Sequence, residues 1–188
     1  MSLSMYQASV PAFIAMLKNL DAILEKAEAF AKERNIEESV LLNWRLAPDM
    51  FAFTRQVQIA TDFAKGTTAR LAGAEVPSYA DDEASFAGLR QRIAKTVSFV
   101  QTFKPADIDG TEGRDITLTA GGRELRFKGQ PYLLHFALRN FYFHAAPPTI
   151  SCAPAAWGSA SLTSSARSKS RTSRRTCSGS LMKCRLGC

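Results

Sequence analysis

Histidine and cysteine are scarce in this chain, and where they stand excludes several chemistries. Cys152, Cys177, Cys184 and Cys188 are the only cysteines, so residues 1–146 contain none. That stretch is therefore neither a disulfide scaffold, nor a cysteine-ligated zinc fold, nor a cysteine hydrolase. His135 and His144 are the only histidines, too few for a three-histidine metal site. No apolar run approaches the ~20 residues needed to cross a bilayer. The N-terminus also lacks the basic, apolar and small-residue succession of a secretion signal, which leads us to expect a soluble, cytoplasmic protein. Phosphate-cradling glycine loops, the G-x-S-x-G elbow and H-E-x-x-H are missing too. Acidic residues are absent from 147–188, which carry seven basic ones, whereas 1–146 balance 17 basic side chains against 17 acidic. The whole +7 net charge thus follows Ala146.

What is present reads as one domain, since 188 residues with 46% hydrophobic content are too few for two well-buried cores. From Met5 to Arg34 the residues Val10, Phe13, Leu17, Leu20, Leu24, Ala27 and Ala31 recur at three- and four-residue steps, the period of an amphipathic helix. A linker containing Trp44 leads to Pro48, which suits the first turn of a second helix because its missing N–H would be unpaired there. That helix should run to about Ala72 and stop at Gly73. Phe86, Leu89, Ile93, Val97 and Val100 mark a third helix ending before Pro105. Asp115–Ala120 and Arg123–Lys128 alternate apolar and polar residues around Gly121-Gly122, a hairpin signal. Its Ile116, Leu118, Leu125 and Phe127 face should lie on the helices. A fourth helix is predicted from Tyr132 to about Ala146, ended by Pro147-Pro148. The order implies a mostly helical four-helix bundle with a β-hairpin inserted between helices 3 and 4.

On a 100° wheel the second helix turns Met50, Phe53, Val57, Ala60, Phe63 and Ala64 inward, and Gln56 falls inside that arc. Thr54, Arg55, Gln58, Asp62 and Lys65 occupy the opposite face, which reads as solvated with helical ion pairs. On the fourth helix, Asn140 and His144 share an arc with Leu133, Phe136, Ala137 and Phe143, while His135 and Arg139 point elsewhere. Gln56, Asn140 and His144 are therefore the candidate binding-pocket residues. The simplest reading is that they hydrogen-bond one another in the core. A divalent metal on His144, supplemented by Asn140, Gln56 or a carboxylate, and a metal-free small-molecule pocket are the alternatives; amides are poor partners for metals that prefer imidazole. Asp81-Asp82-Glu83 precede the third helix, where the dipole favours carboxylates and no catalytic role is required.

Several runs, Arg45-Leu-Ala-Pro-Asp-Met50, Gln56-Val-Gln-Ile-Ala60, Asp62-Phe-Ala-Lys65, Arg70-Leu-Ala-Gly73 and above all Asn140-Phe-Tyr-Phe-His144, resemble a bacterial domain-of-unknown-function family, number nineteen ninety-three, of the DinB-like helical-bundle superfamily. The resemblance spans Met5 to Ala146. It implies a four-helix bundle, often a homodimer. Its better-known relatives hold a divalent metal with three histidines, one from the second helix and two, four apart, from the last; they include thiol-dependent transferases. By position Gln56, Asn140 and His144 stand at those ligands, and only His144 is still histidine. The expectation is thus a degenerate interior polar site without a tightly held metal. A metal-dependent thiol transferase is the enzymatic alternative.

The resemblance also bears on residues 147–188, which combine ten serines with the seven basic residues. Family members continue after Phe-His-Ala-Ala with Thr-Ala-Tyr-x-Ile-Leu-Arg. Loss of one base from the threonine codon turns ACC GCC TAC GAT ATC CTG CGC into CCG CCT ACG ATA TCC TGC GC. Its translation, Pro-Pro-Thr-Ile-Ser-Cys-Ala, is Pro147 to Ala153. The domain organisation expected is a bundle over 1–146, its last helix truncated, and a frameshifted, non-native tail over 147–188. The alternative is a basic tail that binds nucleic acid.

Overall fold

A computed structural model describes residues 3–151, so the expected frameshifted tail from Cys152 onward lies outside the described residues. The first long helix, α1 (Met5–Glu33), starts where Ser4 and Gln7 cap each other's backbone N–H groups, a reciprocal capping box. Its three- and four-step apolar stripe from Val10 to Ala31 is buried throughout. It ends at Arg34, followed by Asn35 with φ 53°, a left-handed residue that asparagine tolerates.

Part of the expected linker is helical: Glu38–Leu42 form the short α2. Pro48 does not begin the next helix. It occupies the second position of a turn in which Met50 N donates to Ala47 O at 3.0 Å, a position that suits its fixed φ. The helix α3 starts only at Phe53 and runs to Ala72, closed by Gly73 at φ 72°. Next come α4 (Phe86–Val100), capped by Ser85 Oγ on Gly88 N, and the short α5 (Pro105–Ile108), which the sequence pattern did not suggest. Helices α1 and α3 each pack on α4 and on the final helix.

Strands β1 (Asp115–Ala120) and β2 (Arg123–Lys128) pair antiparallel, with Ile116 opposite Phe127 and Leu118 opposite Leu125. This face is turned inward: Ile116 is buried and the other three half-buried, as expected. Gly129 follows at a close approach where an added Cβ would collide with the Thr111 carbonyl. The last helical segment is not a uniform α-helix. One turn, α6 (Gly129–Pro131), leads into a π-helical stretch over Tyr132–Ala137 and then α7 (Leu138–Ser151).

The wider π turn retards the phase of everything after it, and the wheel expectation for this helix fails accordingly. Leu133, Ala137, Phe141 and Ala145, each four apart, are buried, as is Tyr132, while Phe143 is 58% exposed. Phe141 instead meets Phe13 edge-to-face at 4.8 Å between centroids. Pro147-Pro148 do not end the helix either; both are buried and the helix continues to Ser151. Contact with the bundle therefore extends past Ala146. A proline's fixed φ fits a helix, so what is lost is the pair of N–H donors to the Phe143 and His144 carbonyls. The shifted phase is measurable: Phe141→Ala should destabilise the bundle by about 3–5 kcal/mol, and Phe143→Ala by within about 0.5 kcal/mol, in urea titrations followed by circular dichroism.

Candidate functional site

Two of the three candidate residues meet. Gln56, buried on α3, and His144, half-buried on α7, are joined by a 2.7 Å contact between Gln56 Oε1 and His144 Nδ1. The Gln56 amide N–H points to the Phe51 carbonyl at 3.4 Å. That orientation turns the amide oxygen, an acceptor only, toward the ring, so Nδ1 carries the shared proton and Nε2 holds a lone pair. Phe63 lies parallel to the imidazole at 6.0 Å, Phe143 stands edge-on at 5.1 Å and Phe51 is tilted at 6.4 Å. Burial, aided by the nearby Arg55 charge, lowers the His144 pKa from its usual 6.5. The arrangement presents a neutral imidazole among three aromatic rings, its Nε2 without a hydrogen-bond partner among the described residues.

Asn140 does not join this pair. Its Nδ2 donates to Phe136 O one turn back, at 2.7 Å, and no hydrogen bond links it to Gln56 or His144 among the described residues. His135 is exposed. These positions do not fit the three-histidine metal set implied by the resemblance. One imidazole is present, the Gln56 oxygen is engaged by Nδ1–H, and the Asn140 amide is held to its own helix. No cluster of three His, Cys, Asp or Glu side chains suited to a metal occurs among the described residues. The site instead offers hydrogen bonding, or proton acceptance at Nε2, inside an apolar wall.

A second polar assembly was not anticipated. The face of α3 expected to be solvated is covered by the connection to α4, and Gln58 and Lys65 on it are 4% and 5% exposed. At the centre is Arg92 of α4. Its Nε donates to Thr61 Oγ1 at 2.8 Å, and Nη1 donates to Ala80 O at 2.7 Å and Glu83 Oε1 at 2.9 Å. Nη2 reaches Asp62 at 2.8 Å and Asp81 at 3.0 Å. Although burial opposes it, Arg55, with Arg92, holds the Asp81 carboxyl below the usual carboxylate range. Asp81 and Glu83 therefore serve the buried Arg92, which corrects their assignment to the helix dipole: the first turn of α4 has no acidic residue. The available signal was an arginine at the edge of an apolar arc, one helix turn beyond Leu89, together with acids upstream.

The domain of unknown function DUF1993 matches residues 5–147. A crystal structure of a DinB family member protein from Shewanella denitrificans is similar at 40% identity, covering 78% of this chain and 83% of that one, with a TM-score of 0.68. None of the curated proteins matches. With its helical bundle, inserted hairpin and Gln56–His144 pair, the chain belongs to the DUF1993 family of DinB-like proteins.

Proposed function

We propose that this protein is a cytoplasmic, homodimeric binding protein that recognises a small organic ligand at His144 without a transition metal. The observation that carries the reading is the Gln56–His144 hydrogen bond, because it uses the oxygen a metal would need and fixes an acceptor at Nε2. A thiol transferase of the metal-dependent kind finds less support, since catalytic zinc normally has three good protein ligands. Self-association has its own support: Trp44, Leu46 and Phe51 share one exposed apolar stretch. The full chain should scatter light as twice its monomer mass, and a clean monomer at tens of micromolar would contradict the dimer. The basic segment after Ser151 has no nucleic-acid role in this reading; resequencing across codon 147 tests the shifted frame behind it.

Two further outcomes follow from the site. Protein purified without chelator should contain far less than one equivalent of zinc, nickel or iron by elemental analysis, and His144→Ala should change stability rather than metal content. Stoichiometric metal that disappears in His144→Ala would favour the transferase. The second outcome is a pH dependence. Since the folded pKa of His144 lies below its unfolded value, the unfolded chain takes up the proton first, and stability falls as pH drops through the unfolded value toward the folded one. Above about pH 7.5 this contribution is absent. Wild type should thus lose more stability than His144→Gln between about pH 7.5 and pH 5, and parallel curves would show an imidazole indifferent to folding.

A further inference from the structure

A cleft of about 180 Å³ lies between α3, the end of β1 and the π-helical stretch, lined by Asp62, Phe63, Arg70, Leu118, Tyr132 and Phe136 among others. Arg70 is half-buried there and, alone among the cations on α3, has no carboxylate partner among the described residues; Arg55 and Lys65 both have one. Its one side-chain partner among the described residues is the Tyr132 hydroxyl, to which Nη1 donates at 3.2 Å. The Tyr132 oxygen is the acceptor in that bond, so its own proton remains available as a donor. Asp62, eight residues before Arg70 on the same helix, is neutralised by Lys65 and Arg92.

Arg70 stands in the last turn of α3, where a cation ordinarily serves the helix dipole. Its guanidinium instead turns back one helical turn over Gly66, so closely that an added Cβ there would meet Nη1 at 2.5 Å. A glycine inside a helix is unfavourable relative to alanine, and here it makes room for the guanidinium against the helix. We propose that this cleft is a binding site for a small monocarboxylate with a short apolar or aromatic tail. The carboxylate lies on the guanidinium, whose planar fork matches it, and accepts the Tyr132 O–H. The tail lies against Phe63, Phe136 and Leu118. The site is independent of the function proposed for His144, with which it shares only the Phe63 ring.

Calorimetric titration of the full chain with benzoate and butyrate tests the assignment, with benzamide as the neutral counterpart and inorganic phosphate as the competing anion. Benzoate should bind about tenfold or more tightly than benzamide, and Arg70→Met should lose about tenfold or more of that affinity while still melting cooperatively. Gly66→Ala separates recognition from structure: it should melt higher than wild type and bind benzoate more weakly, because the methyl displaces the guanidinium. Equal affinity for benzoate and benzamide would overturn the proposal. So would preferred binding of phosphate, an unchanged affinity in Gly66→Ala, or no heat from either carboxylate up to about 50 mM, a range far weaker than the millimolar affinity of simple ligands.

Discussion

The guanidinium of Arg92 donates four hydrogen bonds, to Thr61, Ala80, Glu83 and Asp62, and pairs with Asp81 at 3.0 Å, with the residue only 4% exposed. A buried charge is tolerable only when its partners and hydrogen bonds are complete, and removing one member of such a set costs about 3–5 kcal/mol. Arg55, Lys65 and Arg92 face Asp62, Asp81 and Glu83, so the cluster is electrically balanced. Gln58 closes it by donating to Glu83 and accepting from Arg55. Lys65 adds a contact to the Tyr79 ring at 3.8 Å. The connection between α3 and α4 is thereby laid over the polar face of α3. That helix is then enclosed by α4, by this connection and by α7, and its rotation is fixed.

With α3 fixed, Gln56 and Phe63 must face α7, and the final helix supplies the complement. Its π-helical stretch alters the phase so that Leu133, Ala137, Phe141 and Ala145 fill the core and His144 stands at the core's edge. A fully inward imidazole would need all its polar atoms satisfied within the protein. At the edge, Gln56 satisfies Nδ1, and the Phe51, Phe63 and Phe143 rings lie around the imidazole. The pair thus joins α3 to α7 by a side-chain hydrogen bond.

Much of this was legible in the sequence because it follows local rules. The α1 stripe, the Gly73 stop and the register of the hairpin about Gly121-Gly122 all follow from period and turn chemistry, while the pairing of Gln56 with His144 was implied by the resemblance. Three features were not legible, for different physical reasons. The π turn has no simple residue signature and shifts the wheel for every later position, which is why Phe143 was placed inside and Phe141 overlooked. The burial of Gln58, Lys65 and Arg92 depends on a long-range covering segment, so polar character alone suggested solvent. Pro48 and Pro147 each signalled a helix boundary, yet the first serves a turn five residues ahead of α3 and the second sits inside α7.

The central claim is that His144 is held as a neutral imidazole protonated on Nδ1, with Nε2 open to a ligand and uncommitted to metal. Nitrogen-15 NMR of the His144 ring in the full chain reports this directly, because the two nitrogens shift in opposite directions with tautomer and metal coordination. The account predicts the Nδ1–H form at neutral pH, unchanged by one equivalent of zinc and converted to the other tautomer or to fast exchange in Gln56→Leu. An Nε2–H tautomer in the wild type, or a zinc-dependent shift complete at one equivalent, would contradict it.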